Sequence, residues 1–186
     1  MSGVFVIGAD RGFAKFGYAV FELTAVGERV VKVGVIETKK DAKKKVVLAA
    51  SDNHRRGQEI YGELAGVFDL FRPVAGAAES TSLPRNSSSA HKIGIADGVW
   101  ITLLALHGTP LTEASPQAIK KKLCGKATVT KKMVQDTMEA RYPGQFDKFK
   151  EKCPAGQWEH GFDAAATVVA CLDSDVFKMA RQLVRG

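Results

Sequence analysis

The sequence predicts an α/β fold, a mixed five-stranded sheet with helices on both faces. Three features predict it. The first third holds three strand-like runs joined by short connections. The remainder alternates short apolar runs with longer segments whose apolar residues recur every three or four positions. Finally, 186 residues at 45% hydrophobic and 25% charged are enough for one sizeable core and hardly for two. A single domain over residues 1–186 is expected.

Residues 4–9 are apolar throughout, as a central strand should be. Residues 18–23 form the second strand. Residues 30–38 place Val31, Val33 and Val35 on one face and Lys32 on the other. Short links make these three an antiparallel meander. A helix over 52–71 follows, with Ile60, Leu64, Val67, Phe68 and Phe71 as its stripe and Pro73 as its stop. Residues 74–79 read as a buried strand ending in a glutamate, and 80–89 as a Ser-, Pro- and Asn-rich loop. A second long helix spans 89–107, with Ile93, Ala96, Val99, Trp100 and Leu103 as its stripe. After a short strand at 111–114 comes a small helix opened by Ser115-Pro116, with proline at the tolerated first position. A further helix runs from 130 to just before Pro143, and residues 144–158 read as a polar loop. A last helix from 162 carries Val168, Val169, Leu172, Val176, Met179, Ala180 and Leu183 on one face. This βββ-α-β-α-β-α-α-α order implies a mixed sheet covered by helices. It is the element order of the RNase H-like fold.

Charge narrows the function. Twenty-seven Lys and Arg against 20 Asp and Glu give a formal charge of +7, and the excess is clustered. Lys120, Lys121, Lys122, Lys126, Lys131 and Lys132 occur between residues 115 and 132 without an acid among them. Lys39, Lys40, Lys43, Lys44 and Lys45 form a second cluster, offset only by Asp41. Either alone reads as a solvated face; two in one small domain favour phosphate contact. Cys124, Cys153 and Cys171 are odd in number and widely spaced, which argues for reduced thiols over a disulfide framework or a zinc knuckle. No apolar run is long enough for a membrane span, and no basic region precedes an apolar core at the N-terminus. No membrane partner is expected, and the setting that fits is a cytoplasm, bacterial or that of a phage-infected host.

Acids end the core elements. Asp10 ends the first strand, Glu79 the fourth, and Asp163, with His160 before it, opens the last helix. In a sheet of this order strands one and four are neighbours, so Asp10 and Glu79 meet at one end, and the helix brings Asp163 as a third carboxylate. Clustered carboxylates repel one another and persist where hard divalent cations, Mg²⁺ or Mn²⁺, neutralise them. Two such ions about 3.5–4 Å apart suit phosphodiester cleavage. His160 adds a nitrogen ligand or accepts the proton of an attacking water. Taken singly, each has a plainer reading: a first-turn acid for Asp163, a solvent-facing strand end for Glu79, a loop histidine for His160. The set of four is what points to chemistry.

At these positions the sequence resembles the RuvC family of Holliday-junction resolvases over almost the whole chain. "VIGADRGFAKFGYAVFE" is similar to the family's first two strands. "AAESTSLPRNSSSAHKIGIADGV" is similar to its second-carboxylate strand, loop and long helix, with Asn86, Lys92, Gly94, Ala96 and Gly98 at similar spacing. "SPQAIKKKLCGKATVTKKMV" is similar to its basic region, and His160-Gly161-Phe162-Asp163-Ala164 to its last motif. The resemblance implies that Asp10, Glu79, His160 and Asp163 form the metal-binding catalytic set. It also implies that Lys120 and Lys131 contact the DNA backbone near the cut. Around them Lys121, Lys126, Lys132, Arg85 and Asn86 complete the expected DNA surface, with Leu83 as an apolar wedge. It implies a homodimer, with the long helix after Glu79 in its interface, nicking two opposed strands of a four-way junction. Three departures stand out. Ser82 lies where the family commonly has an aromatic, Arg11 replaces a proline, and residues 39–45 and 144–158 look like local elaborations. These point to a phage or divergent member with broader activity on branched DNA.

Two other nucleic-acid readings share the features: a ribonuclease H cutting RNA–DNA hybrids, and a junction-binding protein without catalysis. The lysine-rich region and the H-x-x-D ending favour the resolvase, and complete carboxylates argue against lost chemistry. An actin-like or sugar-kinase ATPase needs a second D-x-G, which the chain lacks.

Overall fold

The computed structural model describes residues 3–41, 48–80 and 85–185. β1 (Val4–Asp10), β2 (Lys15–Thr24) and β3 (Gly27–Glu37) form the expected antiparallel meander. β4 (Ala75–Glu79) lies parallel to β1, and β5 (Leu111–Ala114) parallel to β4, giving the order β3-β2-β1-β4-β5. Two right-sized crossovers connect the parallel strands: α1 (Ala49–Phe71) from β3 to β4 and α2 (Ser87–Leu106) from β4 to β5.

Alternation along β1 explains why both faces are covered. Val6 packs with Phe21, Ala77, Met138, Phe162 and Val168 on one side. Ile7 and Ala9 pack on the other with Ile60, Leu64 and Phe68 of α1 and Trp100 and Leu103 of α2. β1 is apolar at consecutive positions because each face meets a helical layer. β3 departs from simple alternation. A register shift between Val20 and Phe21 leaves Val31 unpaired and turns it to the α1/α2 face with Ile7, while Val33 and Val35 pack on the other face, so the three valines expected on one face are divided.

Beyond β5 come α3 (Pro116–Cys124) and α4 (Lys131–Arg141), whose N-termini are capped by the hydroxyls of Ser115 and Thr130, each accepting a backbone N–H. Two expectations change at the C-terminal end. Residues 144–158 are not a plain loop: they hold α5 (Asp147–Lys152) and a 3₁₀ turn (Ala155–Gln157). Phe146 and Phe149 bury there against Phe162, with ring centroids 4.5 and 6.1 Å away, a non-local contact that a polar local sequence conceals. The last helix is two helices, α6 (Trp158–Cys171) and α7 (Asp175–Arg185). Ser174 accepts from the Phe177 N–H at 3.4 Å and restarts the helix in a new phase. Phe177, Ala180 and Val184 are therefore buried, while Met179 and Leu183 face solvent.

Among the described residues no helix is long and apolar enough to cross a membrane. Lys43, Lys44, Lys45, Ser82 and Leu83, singled out from the sequence, lie outside the described residues.

Candidate active site

β1 and β4 run side by side in parallel, with Ala9 paired to Ala78 as their last partners. Each strand continues by one acidic residue. Asp10 and Glu79 therefore emerge at the same, C-terminal end of two central strands, just beyond their buried apolar stretch.

α6 supplies the rest, and two glycines decide how closely it lies. A Cβ on Gly8 of β1 would stand 2.4 Å from the Ala164 carbonyl oxygen, and one on Gly17 of β2 would stand 2.1 Å from that of His160. The helix backbone rests directly on the sheet because those two positions have no side chain. Gly17 is the register partner of Asp10, so the contact sets His160 beside Asp10: Nδ1 of His160 lies 2.7 Å from Asp10 Oδ2. Asp163 sits three residues on, in the second turn of α6; the helix opens at Trp158, earlier than the sequence suggested, and His160 is helical too.

The carboxylates share one electrostatic field. Burial raises the pKa of Glu79, and the charges of Asp10 and Asp163 raise it further, while Lys120 and Lys131 pull it down. Burial, then Asp10, pushes Asp163 up to about 6. Lys131, at the start of α4, answers this charge. Its Nζ lies 2.6 Å from Glu159 Oε2 and 3.6 Å from Asp163 Oδ2. Its pKa is raised: burial opposes this, but the bond to Glu159 and the Asp163 charge outweigh burial. The bond to Lys131 in turn lowers Glu159.

Among the described residues no three His, Cys, Asp or Glu side chains converge as a ready-made metal-holding group. Asp10 is engaged by His160, and Asp163 faces Lys131. The donor chemistry nonetheless fits a hard cation: Glu79 and Asp163, each raised by burial and by a neighbouring carboxylate's charge, are short of positive charge.

The basic residues are distributed around this end of the sheet. Lys120 on α3 acts electrostatically on Glu79, and Lys121, Lys126 and Lys132 are exposed. Lys132 is ion-paired with Asp136 and Lys122 with Asp173. Arg85 is exposed ahead of α2, and the Asn86 side chain caps α2 by accepting from the Ser89 N–H at 3.2 Å.

Sequence reasoning passed over Glu159, Gly8 and Gly17 and left Arg11 without a role. Glu159 holds Lys131, but nothing in its spacing separates it from other surface acids. Gly8 and Gly17 read only as strand glycines. Arg11 drew notice as a departure from pattern; the structure buries it beneath the site, bonded to Asp97, to Glu113 and to the Glu79 main-chain oxygen.

The family model described as "Crossover junction endodeoxyribonuclease RuvC" matches residues 6–141. A crossover junction endodeoxyribonuclease RuvC from Pseudothermotoga lettingae is 31% identical over 134 residues, 72% of this chain and 77% of that protein. Among solved structures, T. thermophilus RuvC in complex with a Holliday junction substrate superposes with a TM-score of 0.72 at 22% identity, covering 97% of both chains. A yeast mitochondrial Holliday junction resolvase gives 0.64 at 12% identity, covering 99% of this chain and 86% of that one. The fold is theirs. The family-model match stops before α6, so His160 and Asp163 rest on geometry.

Proposed function

This chain belongs to the RuvC family of crossover junction endodeoxyribonucleases, and from that premise we propose that it resolves four-way DNA junctions by paired, symmetrical, metal-dependent nicks. The observation that supports the chemistry is that Asp10 and Asp163 both act electrostatically on Glu79, and Asp10 on Asp163, at one end of the sheet, with His160 against Asp10.

Asp10, Glu79 and Asp163, with His160, are the residues that would hold Mg²⁺, or Mn²⁺ in its place, as a pair of ions. When bound, such ions supply neutralising charge for the carboxylates and the scissile phosphate. The chain's own groups do the rest. Asp10 orients His160 through Nδ1, and Nε2, 3.5 Å from Glu159 Oε1, is the nitrogen that would either join the metal ligands or accept a proton from the attacking water. Lys120 and Lys131 hold the phosphate backbone at the cut, and Lys121, Lys126, Lys132, Arg85 and Asn86 extend that hold along the arms.

Two opposed strands of a junction call for two equivalent sites, so the working form is a homodimer. An apolar groove between α1 and α2, lined by His54, Tyr61, His91, Ile95 and Val99, supports this reading, as does the exposed Ile101 on α2. The two cores share one sheet, and the likeness to the solved resolvase spans nearly the whole chain, which supports one nuclease domain over residues 1–186.

The test is nicking of end-labelled substrates in Mg²⁺: a four-way junction, a flap, a linear duplex and an RNA–DNA hybrid. Paired symmetrical nicks confined to the junction are expected. Cutting of the hybrid instead would keep the site and overturn the substrate, and tight junction binding without cutting would overturn the catalysis.

A further inference from the structure

We propose that Arg11 is a positioning residue that fixes Glu79 beside Asp10, a role that rests on the nuclease reading above. β1 and β4 are paired through Ala9 and Ala78 and no further. Asp10 and Glu79 thus follow directly on the last paired positions of the two strands, and no pair of the ladder lies beyond them. Arg11 adds a tie beyond that last pair. The chain turns immediately after Asp10, where the Gly12 N–H bonds the Asp10 carbonyl at 2.9 Å. From there the Arg11 side chain, only 2% exposed, runs to the β4 side and donates to the Glu79 main-chain oxygen.

The same guanidinium is anchored at both flanks. It donates to Glu113 Oε1 on β5 at 2.7 Å and to Asp97 on α2. One planar fork therefore joins the ends of β1 and β4 to the next strand and to the helix that follows the Glu79 loop. A fork with several fixed donors does this and a lysine does it only in part. Two carboxylates compensate a buried cation, so the group is held where it is and cannot swing out to meet DNA.

The test uses the full chain with Arg11→Met, Arg11→Lys and Glu113→Gln. Three quantities are read: single-turnover junction cutting against Mn²⁺ concentration, junction affinity in EDTA, and the rise in melting temperature on adding Mn²⁺. Partners that orient a metal-binding carboxylate are worth ~10–100-fold in metal affinity or activity. Arg11→Met is accordingly expected to cut at least ~10-fold more slowly, to need more Mn²⁺ for half-maximal rate and to show a smaller Mn²⁺-induced rise in melting temperature. Its junction affinity in EDTA should match the parent's. Arg11→Lys should recover part of the loss, and Glu113→Gln should move the same way by less. Parental Mn²⁺ dependence in a folded Arg11→Met would overturn the proposal, as would a loss of junction affinity as large as the loss of rate. Should Arg11→Met melt below the assay temperature, parental Mn²⁺ dependence in Glu113→Gln would overturn it instead. A parent that cuts no junction would sink the nuclease reading, and the Mn²⁺ melting shift would still decide the role of Arg11.

Discussion

Adding one methyl group at Gly17 should silence the enzyme while leaving it folded. The new Cβ would lie 2.1 Å from the His160 carbonyl oxygen and 2.5 Å from its carbonyl carbon. Ordinary van der Waals contact begins at 3.4 Å, so α6 must retreat by about 1.3 Å at this point. Both partners are main chain, and no rotamer relieves the clash. A retreat of that size takes His160 Nδ1, now 2.7 Å from Asp10 Oδ2, to about 4 Å, outside hydrogen-bond range. Overpacking of this kind costs ~1–3 kcal/mol, against ~10²-fold in rate for a displacement near 1 Å at the reacting centre. For a chain of this length ~1–3 kcal/mol lowers the melting temperature by roughly 2–12 °C. The catalytic effect therefore dominates. Single-turnover junction cutting of Gly17→Ala, with its melting curve, makes the comparison. Gly27→Ala is the control, because a Cβ there meets nothing within 4 Å. Cutting by Gly17→Ala within threefold of the parent, at an unchanged melting temperature, would refute the idea that this close approach sets the site.

Asp10→Asn removes an oxygen donor and leaves the basic surface intact, so it should abolish cutting and keep junction binding; retained cutting would displace Asp10 from the site. Asp163 has a pKa near 6 in the folded chain, against an ordinary 3.8. Such a group favours the folded state below its ordinary value, and that contribution is lost as pH rises through about 6. In EDTA, Asp163→Asn should accordingly melt higher than the parent at about pH 8, with the gap closing towards about pH 4. An Asn variant no more stable than the parent at the upper pH would contradict the crowding of charge. Lys131→Ala should slow cutting and reduce the salt slope of junction binding by about one phosphate contact. An unchanged slope would leave Lys131 as a partner of Glu159 and Asp163 and not of a phosphate.

Asp10 and Glu79 were legible because each closes an apolar run, and a carboxylate at the rim of a buried strand is conspicuous in any sequence. His160 and Asp163 were legible as a motif and the helix after them as a stripe, yet its start at Trp158 was not: the segment before Phe162 reads as polar, and Phe146 and Phe149 pack there against Phe162 only in the fold. The apolar stripe through Leu172 and Val176 looked continuous because periodicity does not register a break that a serine hydroxyl caps. Gly8 and Gly17 were unreadable for a simpler reason. What they permit is the approach of a helix encoded about 150 residues later, and no local window contains both partners. Arg11 could be seen to differ, but its use depends on Asp97 and Glu113, which the fold alone brings to it.

The contact between Asp10 and His160 spans 150 positions of the chain. Pairings of such sequence separation carry a large loop-closure cost and tend to form late in folding. A meander with its crossover helices can be in place while the nuclease site is still open on one side, awaiting α6. Recovery of cutting during refolding should follow the slowest docking step, so that the enzyme becomes dangerous to DNA only once the last layer of its fold has closed.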